Sequence, residues 1–368
     1  MGHVVRRSGN WQASIRGPDG REKSKTFARK VDAHAWLTSV DHSKLIGAYV
    51  DPVAGKVTFK DFAEAWRKVQ IHRTGTEISV EQQLRLHVYP IIGDRPIASV
   101  RTSDVQSLVH RLSAALAPST VAVVYGRVVA VFRAAVRDRI IAASPCVDVK
   151  LPSNRTPSML QVLDVAQILA MSKAVPARYQ ALVIAGAGLG LRPGELFGLA
   201  ADRVDFLRRT VRVDQQIARR EGGGVGLAPL KTPSSYRTVP LPDVVGTALA
   251  AHMKEWAVHP DLGVMFTTRG GGPVQQHPWA EVWGTARTKA KLPAWATPHD
   301  LRHFYASMLI RSGASVKVIQ TRLGHSSAKT TLDVYGHLFP DEEDRTRTAV
   351  DAMLRPNPAD ISRTSTAP

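Results

Sequence analysis

Two histidines and an arginine lie close together in the stretch "TPHDLRHFYASML", residues 297–309. His299, Arg302 and His303 occupy positions i, i+3 and i+4, which share nearly one face of an α-helix. Histidines at i and i+4 have the spacing of a zinc site, whereas the planar guanidinium of an arginine suits the oxygens of a phosphate. The stretch alone leaves both chemistries open, beside the alternative of an ordinary polar surface helix.

Three further motifs in the same half of the chain carry charged or nucleophilic side chains. The string "GLGLRPGEL" places Arg192 in a glycine-rich turn before a helix, and Glu195 lies where it can orient the arginine or cap the helix. Lys231 precedes the turn "TPSS", from which a lysine can reach into a cleft, and "LGHSS" contains His325, ten residues before Tyr335. Taken singly these motifs are weak, because most surface arginines and lysines have no specific role and a tyrosine on a late helix is usually packing.

The order of the motifs is more specific than any one of them. An arginine, a lysine, a His-x-x-Arg pair, a Leu-Gly-His histidine and a tyrosine follow one another within one predicted domain. This order, and the strings "TPHDLRHFYASML", "LGHSS" and "TLDVYGHL", resemble the catalytic domain of the tyrosine recombinases, the phage integrase family. The residues that match the family's catalytic set are Arg192, Lys231, His299, Arg302, His325 and Tyr335.

The resemblance implies cleavage of a DNA phosphodiester by a protein nucleophile. Arg192 and Arg302 would bind the phosphate as bidentate forks and stabilise the charge that develops in the transition state. Tyr335 would form a 3′-phosphotyrosine, which stores the energy of the broken bond, so that no ATP is needed. A phenol is unreactive at its ordinary pKa of roughly 10, so nearby cations are expected to help Tyr335 to ionise.

The other residues of the site receive assisting roles from the same resemblance. His299 and His325 are expected to donate hydrogen bonds to the phosphate or to assist proton transfer. Lys231 is the expected general acid for the leaving 5′-oxygen. Glu195 would be a structural support, and His303 would contribute packing or support around the site.

No metal or other cofactor is expected at this site. No glutamate directly follows His299, as the zinc-protease motif would require, and Arg302 would repel a cation. The single cysteine, Cys146, excludes a disulfide framework and a cysteine-based zinc site, and it favours a reducing cytoplasm. The longest apolar run, residues 181–191, is too short to span a bilayer, so no membrane partner is expected.

The chain is strongly basic, which predicts a polyanionic partner. Its 368 residues include 49 basic and 31 acidic side chains, a formal net charge of +18. The excess is spread along the chain and is not confined to one tail, which favours a protein that contacts nucleic acid with several domains.

The N-terminal part reads as a small basic domain, residues 1–50. Residues 4–27 predict three short strands, and helical spacing follows from about residue 30 to residue 46. A basic sheet can enter a major groove, although a solvated sheet face is the alternative. The resemblance identifies this part as an arm-type DNA-binding domain. The basic residues of its strands and turns are Arg6, Arg7, Arg16, Arg21, Lys23 and Lys25.

The remainder predicts a multidomain α+β protein. Residues 57–145 carry helical patterns and resemble the family's helical core-site DNA-binding domain. Residues 158–345 predict a mostly helical catalytic domain with a small antiparallel sheet that includes a strand at about 210–217. Linkers are expected at 49–56 and 144–157, and residues 346–368 are expected to be a C-terminal tail.

The resemblance implies a site-specific DNA integrase of a temperate phage or integrative element. It would act as a homotetramer on double-stranded attachment sites, near the nucleoid of a bacterial host, with a host DNA-bending protein and a directionality factor as further partners. A recombinase that resolves chromosome or plasmid dimers is the alternative, but such relatives usually lack the small basic sheet. A non-catalytic DNA-binding regulator would require a broken active site, and all six matching positions are intact.

Overall fold

The computed structural model shows a chain that divides into two compact units, Met1–Pro157 and Ser158–Pro368. The division falls at the end of the predicted second linker. The residues that the structure describes are 2–16, 22–45, 54–153, 160–220, 222–339 and 343–354.

Three antiparallel strands and one helix begin the first unit. These elements are β1 (His3–Arg7), β2 (Asn10–Arg16), β3 (Glu22–Phe27) and α1 (Lys30–Leu45). The central strand is β2, which pairs with both of its neighbours. Ala13 and Ile15 of β2 are buried in one apolar cluster with Ala33 and Leu37 of α1. The predicted three-stranded sheet followed by a helix is confirmed.

A helical bundle follows in the same unit. Its elements are α2 (Phe59–Lys68), α3 (Thr74–Gln83), a π-helical segment (Leu84–Gly93), α4 (Thr102–Ala115) and α5 (Pro118–Arg137). Thr58 caps α2, because its side chain accepts a hydrogen bond from the Asp61 backbone. Helix α3 begins with a polar turn of weak helix propensity, and burial of Val80, Leu84 and Val88 holds α3 and the π-helical segment in place.

Helix α5 is long and apolar enough to cross a membrane by length and composition alone. The sequence predicts a helix here, but only the run at 181–191 was compared with the thickness of a bilayer. Val124, Val128 and Phe132 of α5 are fully buried in the core of the bundle. The apolar composition of α5 is therefore that of a helix packed in the core of the bundle.

The second unit is mostly helical. Its helices are α6 (Val165–Ala174), α7 (Gln180–Leu189), α8 (Pro193–Phe197), α9 (Asp243–Glu255), α10 (Gln276–Lys289), α11 (Asp300–Arg311), α12 (Val316–Leu323), α13 (Ala328–Tyr335) and α14 (Glu343–Leu354). Helix α7 contains most of the apolar run at 181–191, and it packs against α6, α9 and α11. A helix that is apolar on all sides is stable only in such a central position.

Two small antiparallel sheets accompany these helices. Their strands are β4 (Val204–Asp205), β5 (Thr210–Val213), β6 (Gln215–Arg219), β7 (Val225–Pro229) and β8 (Arg237–Pro240). The prediction of one strand at 210–217 is wrong, because the segment forms two strands in different sheets. Strand β5 pairs with β4 and β8, whereas β6 pairs with β7. The break falls at Asp214, whose carboxylate pairs with Arg203 at 2.9 Å and with Arg212 at 3.0 Å. These two ion pairs hold the chain where it passes from one sheet to the other.

The predicted C-terminal tail is also corrected in part. Helix α14 runs across the expected boundary between residues 345 and 346, and it ends at Leu354. The segment has no glycine or proline before Pro356, so nothing in it opposes a helix. The rest of the tail, residues 17–21 and most of the first linker lie outside the described residues.

Candidate active site

Arg192 is held at the start of α8 by Glu195. The Arg192 backbone N–H donates to Glu195 Oε2 at 2.9 Å, and its Nη1 donates to Glu195 Oε1 at 2.8 Å. A glutamate three residues after the first cap position satisfies a backbone donor that the helix itself cannot pair. Both expectations for Glu195 therefore hold, since it caps the helix and orients the arginine.

The Glu195 carboxylate is buried and charged. Burial alone would raise its pKa, but the hydrogen bond and charge of Arg237, together with those of Arg192, lower the pKa below its ordinary value. Arg237 was not predicted from the sequence as a site residue. Nothing in the local sequence marks Arg237, because it is an ordinary arginine at the start of β8 and its partner Glu195 lies 42 residues away.

Arg302 is anchored inside the protein by main-chain carbonyl groups. Its side chain lies in α11, and the residue is only 2% exposed. Nη1 donates to the Gly190 oxygen at 2.8 Å, and Nη2 donates to the Leu323 oxygen at 2.6 Å. Burial and the charge of Arg192 lower the pKa of Arg302 to about 9. The guanidinium therefore remains protonated at neutral pH.

Two glycines at helix ends present carbonyl groups to the two arginines. Gly190 ends α7 at φ +62°, and it binds Arg302. Gly324 ends α12 at φ +66°, and its oxygen accepts Arg192 Nη2 at 3.0 Å. The left-handed conformation is available to glycine without steric cost. The glycines of the Leu-Gly-His and Gly-Leu-Arg motifs therefore support the two arginines as well as preceding candidate catalytic residues.

Tyr335 is the last residue of α13 and is almost completely buried, at 1% exposure. Burial raises the pKa of its phenol to about 12, although the charge of Arg302 opposes this shift. The Arg302 cation acts in the expected direction, but it does not compensate for the burial of the phenol. Loss of solvation outweighs the favourable charge, so the hydroxyl holds its proton at neutral pH.

His303 contacts the hydroxyl group of Tyr335 directly. Its Nδ1 lies 2.8 Å from Tyr335 Oη, and the two rings meet edge to face. The ring of His299 packs against the His303 ring at 4.8 Å between centroids. Packing was one expectation for His303, but the contact with the tyrosine oxygen was not predicted.

The other two histidines are neutral at pH 7. His299 precedes α11, and burial, with His303 and Arg302 nearby, lowers its pKa to about 4. His325 follows Gly324, its Nδ1 lies 3.0 Å from Thr331 Oγ1, and burial beside Arg302 lowers its pKa to about 4. A neutral imidazole has one ring N–H and can donate one hydrogen bond, as a phosphate ligand must.

Lys231 lies on a loop that is hydrogen-bonded to this group. It is exposed, two residues beyond the end of β7, on the loop that leads to Ser235. Ser235 accepts a hydrogen bond from Arg192 Nη1 at 3.2 Å, and Thr232 Oγ1 lies 2.9 Å from Ser235 Oγ. The loop that carries the lysine is thus tied to the arginine site.

Arg192, His299, Arg302, His325 and Tyr335 are thus gathered around the ends of α7, α11, α12 and α13. Within the described ranges, no group of three or more histidine, cysteine, aspartate or glutamate side chains could hold a metal ion.

The predicted DNA-binding residues of the N-terminal sheet do not share one face. Cross-strand pairing places Arg6 beside Trp11 and Lys25 beside Ala13, on the face that packs against α1. The guanidinium of Arg6 lies 5.8 Å from the Trp11 ring centre. Lys23 is on this face too, whereas alternation along the strands puts Arg7 and Arg16 on the other one; Arg21 lies outside the described residues.

The chain matches family models along most of its length. Residues 158–342 match the phage integrase family, residues 2–46 match the phage integrase N-terminal domain, and residues 59–151 match the phage integrase central domain. The chain is also 28% identical over 335 residues to a protein named as the prophage phiRv2 integrase of Mycobacterium tuberculosis, and the match covers 88% of each protein.

Solved structures share the fold. The Tn1549 transposon integrase in complex with a circular intermediate DNA superposes with a TM-score of 0.69 at 23% identity, over 80% of this chain and 99% of that one. A lambda integrase tetramer bound to a Holliday junction superposes with a TM-score of 0.59 at 14% identity, over 88% of this chain and 96% of that one. With the ordered arginines, histidines and tyrosine of its site, this chain belongs to the phage integrase family, the tyrosine recombinases that break and rejoin DNA.

Proposed function

We propose that this protein is a site-specific integrase that inserts phage or mobile-element DNA into a host chromosome. It cuts and rejoins DNA through a 3′-phosphotyrosine and a Holliday junction. The observation that carries the proposal is the anchoring of Arg192 and Arg302 by helix-end carbonyls, with Tyr335 near enough for the charge of Arg302 to act on its phenol. Two fixed guanidinium groups beside a hydroxyl nucleophile suit the transfer of a phosphoryl group.

The two arginines stabilise charge on the non-bridging oxygens. Each guanidinium donates at least one hydrogen bond to a main-chain carbonyl group, which fixes the direction of its remaining N–H groups. Little side-chain entropy is therefore lost when phosphate binds. His299 and His325 add neutral donors to the same phosphate. The Tyr335 oxygen attacks phosphorus, the bond to the 5′-oxygen breaks, and Lys231 protonates the departing oxygen.

The three parts of the chain would divide the recognition of DNA. Residues 1–50 bind arm-type sites, residues 57–145 bind the core site, and residues 158–345 perform the chemistry. The basic excess of the whole chain favours several phosphate contacts. The protein acts as a homotetramer on two attachment sites in the cytoplasm of a bacterial host, at the nucleoid, and a host DNA-bending protein and a directionality factor regulate it.

The runner-up function is resolution of chromosome or plasmid dimers by the same chemistry. The small sheet domain speaks against it, because residues 2–46 match the N-terminal domain of phage integrases. A purely regulatory DNA-binding role is disfavoured by the intact cluster of Arg192, Arg302 and Tyr335.

Sequencing of recombination junctions tests the proposal. The full-length protein is incubated with DNA of the element and of the host, and new junctions at one defined pair of sites are expected. On a nicked form of that site, the wild type is expected to form a covalent adduct on a denaturing gel, also in excess EDTA. Tyr335→Phe is expected to bind the site without forming the adduct. An adduct that persists in Tyr335→Phe would refute the assignment of the nucleophile.

A further inference from the structure

The contact between His303 and Tyr335 is fixed by two helices. His303 lies in the first turns of α11, and Tyr335 ends α13. Tyr335 belongs to the apolar cluster that contains Ala306 and Ile310 of α11. The 2.8 Å distance between Nδ1 and Oη is therefore set by packed helices and not by two flexible surface side chains.

The tyrosine hydroxyl cannot attack phosphorus until its proton has an acceptor. With its pKa raised to about 12 by burial, roughly one phenol in 10⁵ would be ionised at pH 7. The nearby charge of Arg302 does not overcome this penalty. A base within hydrogen-bond distance would remove the need for free phenolate.

We propose that His303 is a catalytic residue that accepts the proton of the Tyr335 hydroxyl during attack. The inference rests on the proposed function. A bond forms between Tyr335 Oη and phosphorus, the bond from phosphorus to the 5′-oxygen breaks, the phenol proton moves to His303 Nδ1, and Lys231 supplies a proton to the 5′-oxygen. In the rejoining step each proton returns, so His303 then protonates the departing tyrosine.

The surroundings of His303 are consistent with this role. Tyr335 faces it from α13, and His299, Asp300 and Arg302 lie beside it on its own side of the helix start. Burial lowers the His303 pKa and Arg302 lowers it further, against the opposing charge of Asp300. The imidazole is thus neutral at pH 7, and in the tautomer with a proton on Nε2 its Nδ1 can accept the phenol proton.

The neighbouring groups are less suited to be the base. The Asp300 carboxylate is engaged by Thr297, whose backbone N–H and hydroxyl both donate to Oδ2 at 2.7 Å. Lys231 is the proposed proton donor to the 5′-oxygen in the same step, so it is not available as the acceptor of the phenol proton. Among the described residues, His303 is the side chain whose hydrogen bond to Tyr335 Oη the structure shows.

The first test compares His303→Asn with His303→Gln and the wild type, as full-length proteins. The substrate is the nicked attachment site identified by junction sequencing, and the readout is the single-turnover rate of adduct formation. In His303→Asn, the new side-chain amide oxygen can occupy roughly the position of Nδ1 and accept a hydrogen bond, but it cannot bind a proton at neutral pH. Both variants are expected to be slower by about 10²-fold or more, as loss of a general base implies. His303→Asn at the wild-type rate would overturn the proposal.

A change in the nucleophile separates proton transfer from positioning. In 3,5-difluorotyrosine the phenol ionises at lower pH, so its proton is easier to lose. Placed at residue 335, it is expected to shrink the ratio of wild-type to His303→Asn rates by at least about 10-fold, the size of one pKa unit. The same nucleophile in His325→Asn is expected to leave the corresponding ratio unchanged. An unchanged ratio for His303→Asn would mean that His303 only positions the tyrosine.

A measurement on the unsubstituted protein covers the case in which the variants fail to fold. A site with sulfur in place of the bridging 5′-oxygen needs no proton on its leaving group. The phenol proton is then the one proton that must move while Tyr335 attacks phosphorus. A normal solvent deuterium isotope effect on adduct formation is therefore expected. Its absence would contradict the proposal. If the wild type forms no adduct, the proposed function fails; if the wild type reacts and only these results disagree, the role of His303 alone fails.

Discussion

Glu195 and Arg237 form an ion pair that is almost entirely inside the protein. Glu195 Oε2 lies 2.8 Å from Arg237 Nη2, and the two side chains are 2% and 3% exposed. Arg237 also donates to the Ser235 oxygen at 2.8 Å and to the Arg322 oxygen at 2.7 Å. Because Glu195 in turn holds Arg192, Arg237 supports this candidate catalytic arginine through one intermediate carboxylate.

Arg237→Gln is expected to destabilise the protein by about 3–5 kcal/mol, because it removes the more deeply buried of the two arginine partners of a buried carboxylate. The free energy of unfolding from urea denaturation measures this, and adduct formation is expected to fall with it. The matched control is Arg209→Gln, which removes a 2.7 Å pair with Asp243 whose side chains are 59% and 81% exposed. An exposed pair contributes about 0–1 kcal/mol, so equal losses in the two variants would contradict the prediction.

Gly190→Ala is expected to be more damaging than the same change at other left-handed glycines. Its new Cβ would lie 2.2 Å from Tyr305 Cδ1, which would displace the carbonyl that anchors Arg302. Gly313 also has a left-handed backbone, at φ +79°, but a Cβ there meets nothing within 4 Å. Gly313→Ala should therefore cost only the conformational term of about 1–2 kcal/mol. Urea denaturation compares the two, and a cost for Gly190→Ala no larger than for Gly313→Ala would refute this account.

Stability is expected to fall as the pH is lowered from about 6.5 towards 4. The folded pKa of His299 and of His325 is about 4 because of burial, whereas an unfolded histidine has a pKa near 6.5. Between these values the unfolded chain binds more protons, so acid favours unfolding. Urea denaturation at half-unit pH steps measures the slope, which His325→Gln should reduce. A flat profile between pH 6.5 and 5 would contradict the burial of neutral imidazoles.

Lys231→Ala is expected to cleave ordinary site DNA very slowly and to recover with a sulfur leaving group. An alkoxide leaving group resembles water, with a pKa of roughly 15.7, and needs a proton, whereas a thiol of pKa roughly 8.5 does not. The single-turnover rate on a site with sulfur at the bridging 5′-position is the measurement. Arg192→Ala should show no rescue, because its role is charge stabilisation. If sulfur fails to restore Lys231→Ala, His299 becomes the next candidate for the acid.

The two faces of the N-terminal sheet are expected to contribute unequally to DNA binding. The double change Arg7→Ala and Arg16→Ala removes charge from the face opposite α1, and it should weaken binding to arm-site DNA. Each lost phosphate contact should reduce the slope of log K against log salt by about 0.9. The matched double change Arg6→Ala and Lys25→Ala, on the face that packs against α1, should have a smaller effect. Binding titrations of arm-site DNA at several salt concentrations compare the two double variants. A larger effect of Arg6→Ala and Lys25→Ala would mean that the face that packs against α1 contributes more to DNA binding.

The sequence by itself determined the type of chemistry and the main elements. The order of an arginine, a lysine, a His-x-x-Arg pair, a histidine and a tyrosine is a linear property, and so are the alternation that predicts β2 and the helical spacing that predicts α1 and α5. These features depend on neighbours in the chain, so they can be read without a structure. Even the two functions of Glu195 follow from its position three residues after Arg192.

Only the tertiary structure decided how the site is supported and where its protons lie. Arg302 meets the Gly190 carbonyl across 112 residues, and Arg192 meets that of Gly324 across 132. No local periodicity encodes such contacts, because they depend on how α7, α11 and α12 pack. The high pKa of the Tyr335 phenol has the same origin: neighbouring cations could be predicted from the motifs, but burial, which outweighs them, arises only when the helices close around the ring.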